Sequence, residues 1–415
     1  MLSAARPLEA AFQAWHDACS RSGAVTPERF WAAAALFHMV LLAASWGLVR
    51  TWQGSSKCML PTASWLVALA KEASSLVIFA YAVSLLAPTL MNLGDAGRLR
   101  VGSISGRLMG QLLFGEAILF GVVLAILHRK ARPWRAWVLC GAAFGLFTTY
   151  VEGYRLEPNM LRVRRHSVDR AIGAADATMI RILHVTDIQT PVIGPHEELA
   201  LRTGLSYRPD LIVLTGDYVQ DELGRPTEEQ AARDLRALIA RIGFSASLGV
   251  FATEGDVGPS CRDVFVGMLV RCLVDENALV TLPGGDTLAI TGLSRRAGRM
   301  RDSAWLGRLL NLGPHGDHHM VISHAPDFVD SMPEQVDLVL AGHTHGGQVV
   351  LPFFGPPKTA SRLPRLYAGG LHDYQGIPLH VSRGVGMERG FDVPVRFLCP
   401  PEICILDVRL PVRHE

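Results

Sequence analysis

The sequence predicts an α/β domain over its last two thirds, preceded by an all-α transmembrane module of about four helices. Two observations carry this prediction. Long and nearly uncharged runs fill the chain before residue 152, whereas the composition after Tyr154 is that of an ordinary globular domain. From Ile180 onward, short apolar runs of strand length alternate with polar and helical segments, which is the pattern typical of α/β domains.

The membrane module is predicted from the length and composition of four apolar runs. Hydrophobic residues make up 49% of the chain and charged residues only 19%, which is apolar for a soluble protein. Each run has roughly the 20 residues that a helix needs to cross a bilayer. The runs span residues 30–49, 73–93, 108–127 and 134–151. We therefore predict a membrane module over residues 1–152 and a second domain over residues 153–415.

Charge and cysteine usage argue against several kinds of protein. The net charge of +2 gives no basic footprint for nucleic acid, and no nucleic-acid partner is expected. The seven cysteines are odd in number and contain no Cys-x-x-Cys pair. Neither a disulfide framework nor a thiolate metal site is therefore expected.

Acidic residues and histidines follow the ends of five predicted strands. The strands are predicted over residues 180–185, 211–214, 249–252, 288–291, 320–322 and 336–340, with a helix over 228–242. The residues that follow them are Asp187, Asp217, Asp256, His324, His343 and His345. Ligand sites in open α/β sheets form outside the carboxyl ends of strands. Carboxylates and imidazoles without thiolates suit Mn, Fe or Zn, so these residues predict a metal site.

The last of these strands ends in the sequence Leu340-Ala-Gly-His-Thr-His-Gly-Gly-Gln-Val349. Two imidazoles at positions i and i+2 can reach out of a sheet at a strand end. The glycines on both sides leave room beside them, which a surface pair of histidines does not need. This segment is interpreted as half of the metal site.

The order and spacing of these motifs resemble the calcineurin-like metallophosphoesterases over residues 153–412. The motifs are Asp187-x-Gln189, Gly216-Asp217, Gly255-Asp256, His324 and Gly342-His343-Thr344-His345. The segment Gly342–Pro356 and the tail from Val381 to Glu402 resemble a membrane-associated subgroup. That subgroup includes transmembrane proteins with a metallophosphoesterase domain and relatives of UDP-2,3-diacylglucosamine pyrophosphohydrolases.

The resemblance implies a fold and a metal centre. The fold would be a two-sheet α/β sandwich flanked by helices, with two divalent ions (Mn, Fe or Zn) between the sheet ends. Asp217 would bridge both ions, and Asp187 and His345 would complete the first site. The second site would be completed by His324, His343 and Asp256. Gln189 stands where the family usually has histidine and is expected to be a weaker metal ligand.

The resemblance also implies a reaction. A metal-bound hydroxide would cleave a phosphodiester or diphosphate bond, with Asp217, Asp256 and His343 as catalytic residues. The family usually has a histidine where this chain has Val257, and valine cannot donate a proton. Proton donation by a general acid raises the reaction rate by about 10²–10⁴-fold, and a reaction with a good leaving group depends on it less. Two alternatives stay open: Glu254 could occupy this corner, or the domain could be a catalytically impaired module that binds a metal or phospholipid or acts as a scaffold.

Substrate and location are inferred from the remaining features. Arg295 and Arg296 follow the fourth strand, and the planar guanidinium suits a phosphate, so both are candidates for substrate binding. A lipid-linked substrate, such as a UDP-diacylglucosamine-type molecule, gives a reason for anchoring the site near membrane lipid. Lys and Arg are more frequent on the loops that share a side with the C-terminal domain. The apolar runs predict an integral membrane protein, and the resemblance implies a bacterial inner membrane. The Lys and Arg bias predicts that the catalytic domain is cytoplasmic.

Other histidines are expected outside the site. His184 lies within the first strand and is interpreted as a packed core residue. His315, His318 and His319 lie in a polar loop before the fifth strand and are expected at the surface.

Overall fold

A computed structural model describes residues 133–222, 225–312, 315–332, 336–389 and 394–413, together with positions 115, 118 and 122. The predicted spans at 30–49 and 73–93, and that at 108–127 apart from those three positions, lie outside the described residues. The fourth predicted span coincides with helix α1, Pro133–Val151. Within the described ranges, no helix is both long and apolar enough to cross a bilayer.

The α/β part of the chain contains twelve strands and four further helices within the described residues. The strands are β1 (Arg162–Asp169), β2 (Ala177–Val185), β3 (Leu211–Leu214), β4 (Val250–Ala252), β5 (Arg271–Cys272), β6 (Glu276–Thr281), β7 (Thr287–Gly292), β8 (His318–Ile322), β9 (Leu338–Ala341), β10 (Gly370–Tyr374), β11 (Ile377–Val381) and β12 (Glu402–Pro411). The helices are α2 (Pro195–Ser206), α3 (Glu228–Ile242), α4 (Cys261–Val264) and α5 (Ser303–Leu312).

The strands form two mixed six-stranded sheets, in the orders β1-β12-β2-β3-β4-β5 and β10-β11-β9-β8-β7-β6. Strands β2, β3, β4 and β5 are parallel to one another, as are β7, β8, β9 and β11. Because parallel strands in one sheet end at the same edge, the loops that follow them are neighbours.

The two sheets are layered with helices on their outer faces. Alternate residues of β2 show the arrangement: Ile182 packs in the core between the sheets, whereas Leu183 packs against α2 and α3. The outer face of the second sheet is covered by α5. Side chains of a strand point alternately to opposite faces, so a strand buried on both faces is apolar throughout, as β3 is.

Most of the predicted elements are confirmed. Strand β3 and helix α3 have the predicted bounds, and the other predicted strands differ by one to three residues at their ends. Helix α3 begins after Thr227, whose hydroxyl accepts a hydrogen bond from the Gln230 amide, and ends at Gly243 with φ of 62°.

The positions of the remaining histidines are only partly as expected. His184 is confirmed as a core residue. The surface position expected for His318 is wrong, because its ring is buried at the start of β8, between the carboxylates of Asp286 and Asp337. The adjacent acidic groups compensate for burying a polar ring.

Candidate metal centre

The predicted ligands lie in the loops that follow the parallel strands of both sheets. Asp187, Asp217 and Asp256 follow β2, β3 and β4 of the first sheet, and His324 and the pair His343 and His345 follow β8 and β9 of the second. Five of these six residues, all except His345, form two overlapping groups, and within each group the candidate ligand atoms lie within 4.8 Å of one another. The groups are Asp187, Asp217 and His324, and Asp256, His324 and His343.

The backbone at this edge is held in an uncommon conformation. Five of the seven predicted ligands have φ values in the left-handed region although none is glycine. They are Asp187 (48°), Gln189 (36°), Asp217 (51°), His343 (71°) and His345 (48°). Such residues cost about 1–3 kcal/mol each and concentrate at functional sites, where the surrounding structure holds them in place.

Hydrogen bonds orient the two innermost carboxylates. Asp187 Oδ2 accepts from the Thr186 hydroxyl at 2.7 Å and from the His343 amide at 3.0 Å. Its other oxygen, Oδ1, lies 3.4 Å from His345 Nε2 and has no hydrogen-bond partner. Asp217 Oδ1 accepts from the Val257 amide at 2.8 Å, which leaves Oδ2 towards His324 at 3.3 Å.

The histidine rings are also oriented. His324 Nδ1 lies 2.8 Å from the Thr215 carbonyl oxygen, which can only accept, so Nδ1 carries the hydrogen and Nε2 faces the carboxylates. His343 Nδ1 lies 3.2 Å from His324 Nε2 and 3.1 Å from Asp256 Oδ2. The ring atoms that face the cluster are therefore the ones available to a metal.

The electrostatics of the cluster reflect three carboxylates in a small buried volume. Burial raises the pKa of Asp187 to about 7, and the neighbouring Asp217 acts in the same direction. Burial opposes charge on His324, but Asp217, Asp187 and Asp256 outweigh it and raise the His324 pKa to about 10. Burial and the charge of His324 lower the pKa of His343 to about 4. A proton on His324 thus neutralises part of the carboxylate charge.

The corner where the family histidine is expected contains Val257 instead. Its amide donates to Asp217, and its side chain offers no proton. The segment before it passes very close to the ligands: a Cβ at Gly255 would stand 2.1 Å from Asp217 Oδ1. Glu254, the alternative occupant, contacts Ser260 and the Arg295 amide and is absent from both ligand groups.

An arginine that the sequence analysis did not identify, Arg299, lies at this corner. Arg299 hydrogen-bonds the Asp256 carboxylate, and its guanidinium lies 3.0 Å from His343 Nε2. Arg295 Nε donates a hydrogen bond to the Gly255 carbonyl oxygen at 2.7 Å and lies 4.0 Å from Asp256 Oδ1. Arg296 is exposed and does not line the cavity beside the cluster. Arg299 lies three residues beyond the predicted pair, in a 3₁₀ turn after β7 that the sequence pattern did not reveal.

A second residue missed by the sequence analysis is Glu388, in the segment after β11. Its carboxylate accepts hydrogen bonds from the side-chain amides of Gln189 and Gln220, at 2.8 Å and 2.7 Å. No local signal distinguishes this glutamate from a solvated one, since its partners lie far away along the chain.

The cluster opens into a cavity of about 500 Å³. Asp217, Asp256, His343 and His345 form one part of its wall and Arg299 another. The wall also contains Lys358 and apolar residues, among them Val349, Pro357 and Val395. The cavity is large enough for a phosphorylated head group and has cationic residues on its wall.

These residues fit divalent cations. Asp187 Oδ1 and Gln189 Oε1 are buried oxygens without a hydrogen-bond partner, and such acceptors are costly unless something pairs with them. Three carboxylates and two imidazoles make up the two ligand groups, and His345 Nε2 lies 3.4 Å from Asp187 Oδ1. This donor set suits Mn, Fe or Zn.

Comparisons with known proteins agree with this geometry. Residues 180–347 match the model of the calcineurin-like phosphoesterase family. The chain is 27% identical over 259 residues to the uncharacterized metallophosphoesterase YkuE of Bacillus subtilis, across 61% of this chain and 87% of the relative. It is 26% identical over 276 residues to the phosphodiesterase YaeI of Escherichia coli, across 61% and 90% of the two chains.

A third relative has a named lipid-linked substrate. The chain is 26% identical over 314 residues to the UDP-2,3-diacylglucosamine pyrophosphatase LpxG of Chlamydia trachomatis, across 62% of this chain and 92% of the relative. The matched residues include the motifs after β2, β3, β4, β8 and β9, from which the cluster is built. Residues 180–347 therefore form a calcineurin-like phosphoesterase domain, and the protein is a hydrolase acting on phosphoester bonds.

Proposed function

We propose that this protein hydrolyses a phosphodiester or diphosphate bond, in a substrate that carries a lipid, at a centre of two divalent cations. The observation that carries the proposal is the convergence of three carboxylates and two imidazoles from both sheets, with His345 beside Asp187, around buried oxygens that lack a protein partner. Two bound cations would neutralise the phosphoryl oxygens and lower the pKa of a water molecule.

The ligands are assigned from the two groups. Asp217 belongs to the first group and is proposed as the bridging ligand, because its Oδ1 is held by the Val257 amide, next to Asp256, and its Oδ2 faces His324, which belongs to both groups. Asp187 and His345, with Gln189, would complete the first site. Asp256, His324 and His343 would complete the second.

Cleavage of a diester or diphosphate, rather than a monoester, is supported by the corner at Val257. Val257 cannot protonate a poor alkoxide leaving group, whereas a nucleoside phosphate leaves more readily. Arg299 brings a fixed positive charge to the same corner. In the proposed complex its planar guanidinium binds the phosphoryl oxygens and stabilises the charge that develops on them.

A lipid-linked substrate is supported by the surroundings of the cavity. The loop that contributes Val349, Pro357 and Lys358 to the wall also presents Phe353 and Phe354 to solvent. Exposed aromatic residues beside basic ones are typical of surfaces that contact lipid. LpxG, one of the relatives, is named for a diacylated substrate. The predicted membrane module over residues 1–152 would hold the domain of residues 153–415 near such a substrate.

The proposal is tested with the full-length chain, purified in detergent, and bis-p-nitrophenyl phosphate as a diester probe. With Mn²⁺ we expect turnover of this diester to exceed that of p-nitrophenyl phosphate, a monoester. His343→Ala is expected to reduce turnover to the uncatalysed background, because it removes a ligand from the second group.

His372→Ala serves as the matched control. This histidine contacts the Gly369 carbonyl oxygen and belongs to neither ligand group, so its loss should leave turnover near the wild-type rate. Absence of turnover with every divalent metal tried, or full activity of His343→Ala, would contradict the proposed function.

A further inference from the structure

We propose that Glu388 is a positioning residue, which holds the Gln189 amide so that its carbonyl oxygen faces the first cation site. The inference rests on the proposed function, because it concerns how one ligand of that site is oriented. It assigns a role to Gln189, which stands where the family usually has histidine, and to Glu388, a residue distant in sequence that contacts it.

The orientation follows from the chemistry of the two groups. An ionised carboxylate only accepts hydrogen bonds, whereas a glutamine amide has a donating nitrogen and an accepting oxygen. Gln189 lies 2.8 Å from Glu388 Oε2, so the end of the amide that faces Glu388 must be the nitrogen. A flipped amide would place two acceptors against each other. The carbonyl oxygen is therefore fixed on the side away from Glu388.

The Gln189 carbonyl oxygen lies where a cation can bind it. Gln189 is fully buried, and its Oε1 has no hydrogen-bond partner. The Gln189 main-chain amide donates to the Asp217 carbonyl oxygen at 2.8 Å, and Asp187 lies two residues earlier, so the side chain belongs to the same corner as both carboxylates. An acceptor buried without a partner costs about 1–3 kcal/mol, and a bound cation removes that cost.

Glu388 is itself held by segments that carry ligands. Its Oε1 accepts from Gln220, three residues beyond Asp217, and its main-chain amide donates to Gln348, three residues beyond His345. Gln220 is oriented in turn, because its Oε1 accepts from the Arg389 amide at 3.2 Å. Through its carboxylate and its main-chain amide, Glu388 thus connects the loops after β2, β3 and β9.

Direct ligation by Glu388 is the competing interpretation. Both carboxylate oxygens already accept an amide hydrogen, and Glu388 belongs to neither group of candidate ligand atoms among the described residues. The arrangement instead has the geometry of an outer partner that orients a ligand, as a carboxylate does behind a metal-bound histidine. Loss of such a partner typically weakens metal binding by about 10–100-fold.

The test is a double-mutant cycle on the full-length chain in detergent, with Mn²⁺ alone as the probe and titration calorimetry as the measurement. We expect the wild type to bind two Mn²⁺ ions. Glu388→Ala should weaken one of the two sites by about 10–100-fold. In a Gln189→Ala background, Glu388→Ala should cause no further loss, because Glu388 acts only through the amide that is already absent.

Two further variants separate orientation from loosening of the loops. Gln220→Ala removes the other amide that binds Glu388 but leaves the contact to Gln189, so it should weaken Mn²⁺ binding much less than Glu388→Ala does. Glu388→Gln keeps the size of the side chain but offers one accepting oxygen to two amides, so it should weaken the same site as Glu388→Ala. The unfolding temperature in the absence of metal is measured for each variant and should stay close to that of the wild type.

The outcomes distinguish this inference from the proposed function. Additive losses in the cycle, unchanged affinity in Glu388→Ala, or an equal loss in Gln220→Ala would overturn the role of Glu388 while two bound ions still support the hydrolase. A wild-type chain that binds no Mn²⁺ would overturn both.

Discussion

Only glycine fits at position 255, because a Cβ there would lie 2.1 Å from both the amide nitrogen and Oδ1 of Asp217. The neighbouring backbone atoms cannot rotate away as a flexible side chain can. Asp217 is the residue proposed to bridge the two cations, so displacing it affects both sites.

We therefore predict that Gly255→Ala loses Mn²⁺ binding at both sites together with hydrolysis of bis-p-nitrophenyl phosphate. The measurement is the bound metal per chain after purification, alongside turnover. Gly307→Ala is the control, since no atom lies within 4 Å of a Cβ built there and alanine favours the helix by about 1 kcal/mol. Retention of two metal ions in Gly255→Ala would contradict the prediction.

Residues that carry their chemistry in a short pattern are the ones that the sequence reveals. Histidines beside glycines at the end of an apolar run indicate a site without reference to any other part of the chain. Arg299 and Glu388 carry no such pattern. Their roles depend on contacts with Asp256 and with Gln189, which lie 43 and 199 residues away, and tertiary structure alone brings these side chains together.

Two arginines in the loop after β7, Arg296 and Arg299, differ in what they contact. Arg299 hydrogen-bonds Asp256 and lines the cavity, whereas Arg296 is exposed and does not line it. We predict that Arg299→Ala lowers kcat/KM for the diester by about 10²–10³-fold, the usual cost of removing one donor that stabilises developing charge. Arg296→Ala should change kcat/KM little.

Steady-state kinetics of the two variants side by side make the comparison. Metal content should remain at two ions in both, because arginine is not a ligand. Equal losses of kcat/KM in Arg296→Ala and Arg299→Ala would assign the charge to the loop as a whole rather than to Arg299.

The sequence predicts best the elements in which every residue is buried, or in which apolar residues recur at a regular spacing along the chain. Strand β3 is buried throughout, and the apolar positions of α3 recur along one face, so both have the predicted bounds. Strand β1 is different. It is an edge strand, largely exposed, and pairs with β12 from the far end of the chain, so no local apolar run identifies it.

A pair of buried histidines lies between the two sheets. His184 in β2 and His380 in β11 approach to 2.9 Å through their Nδ1 atoms, His184 Nε2 contacts the Thr215 hydroxyl, and the His166 ring packs against His380. Burial lowers the pKa of His184 to about 3 and that of His380 well below its usual value. Both rings are therefore neutral in the folded chain at pH 7.

The sign of the resulting pH dependence follows from linkage. Histidine in an unfolded chain has a pKa of about 6.5, so the unfolded state takes up protons first as the pH falls. The stability that the neutral rings contribute is complete above that pH and declines below it, by about 2 kcal/mol per ring at pH 5. We predict a lower unfolding temperature at pH 5 than at pH 7, with a smaller decrease in His380→Gln, whose amide does not titrate.

Thermal unfolding of both proteins across this range, at fixed detergent and without added metal, provides the measurement. An equal decrease in wild type and His380→Gln would show that the acid sensitivity originates elsewhere, for example in His343, whose pKa is lowered by burial to about 4.

The distribution of the ligands over the two sheets has a thermodynamic consequence. The carboxylates come from the first sheet and the imidazoles from the second, so a cation bound among them joins the sheets at one edge. A ligand that binds only the folded state stabilises it by about 2.7 kcal/mol at 100 times its dissociation constant. Bound divalent cations would therefore stabilise the packing of the two sheets against each other. A chelator would reduce the resistance of the fold to heat as well as its capacity to cleave a phosphoester.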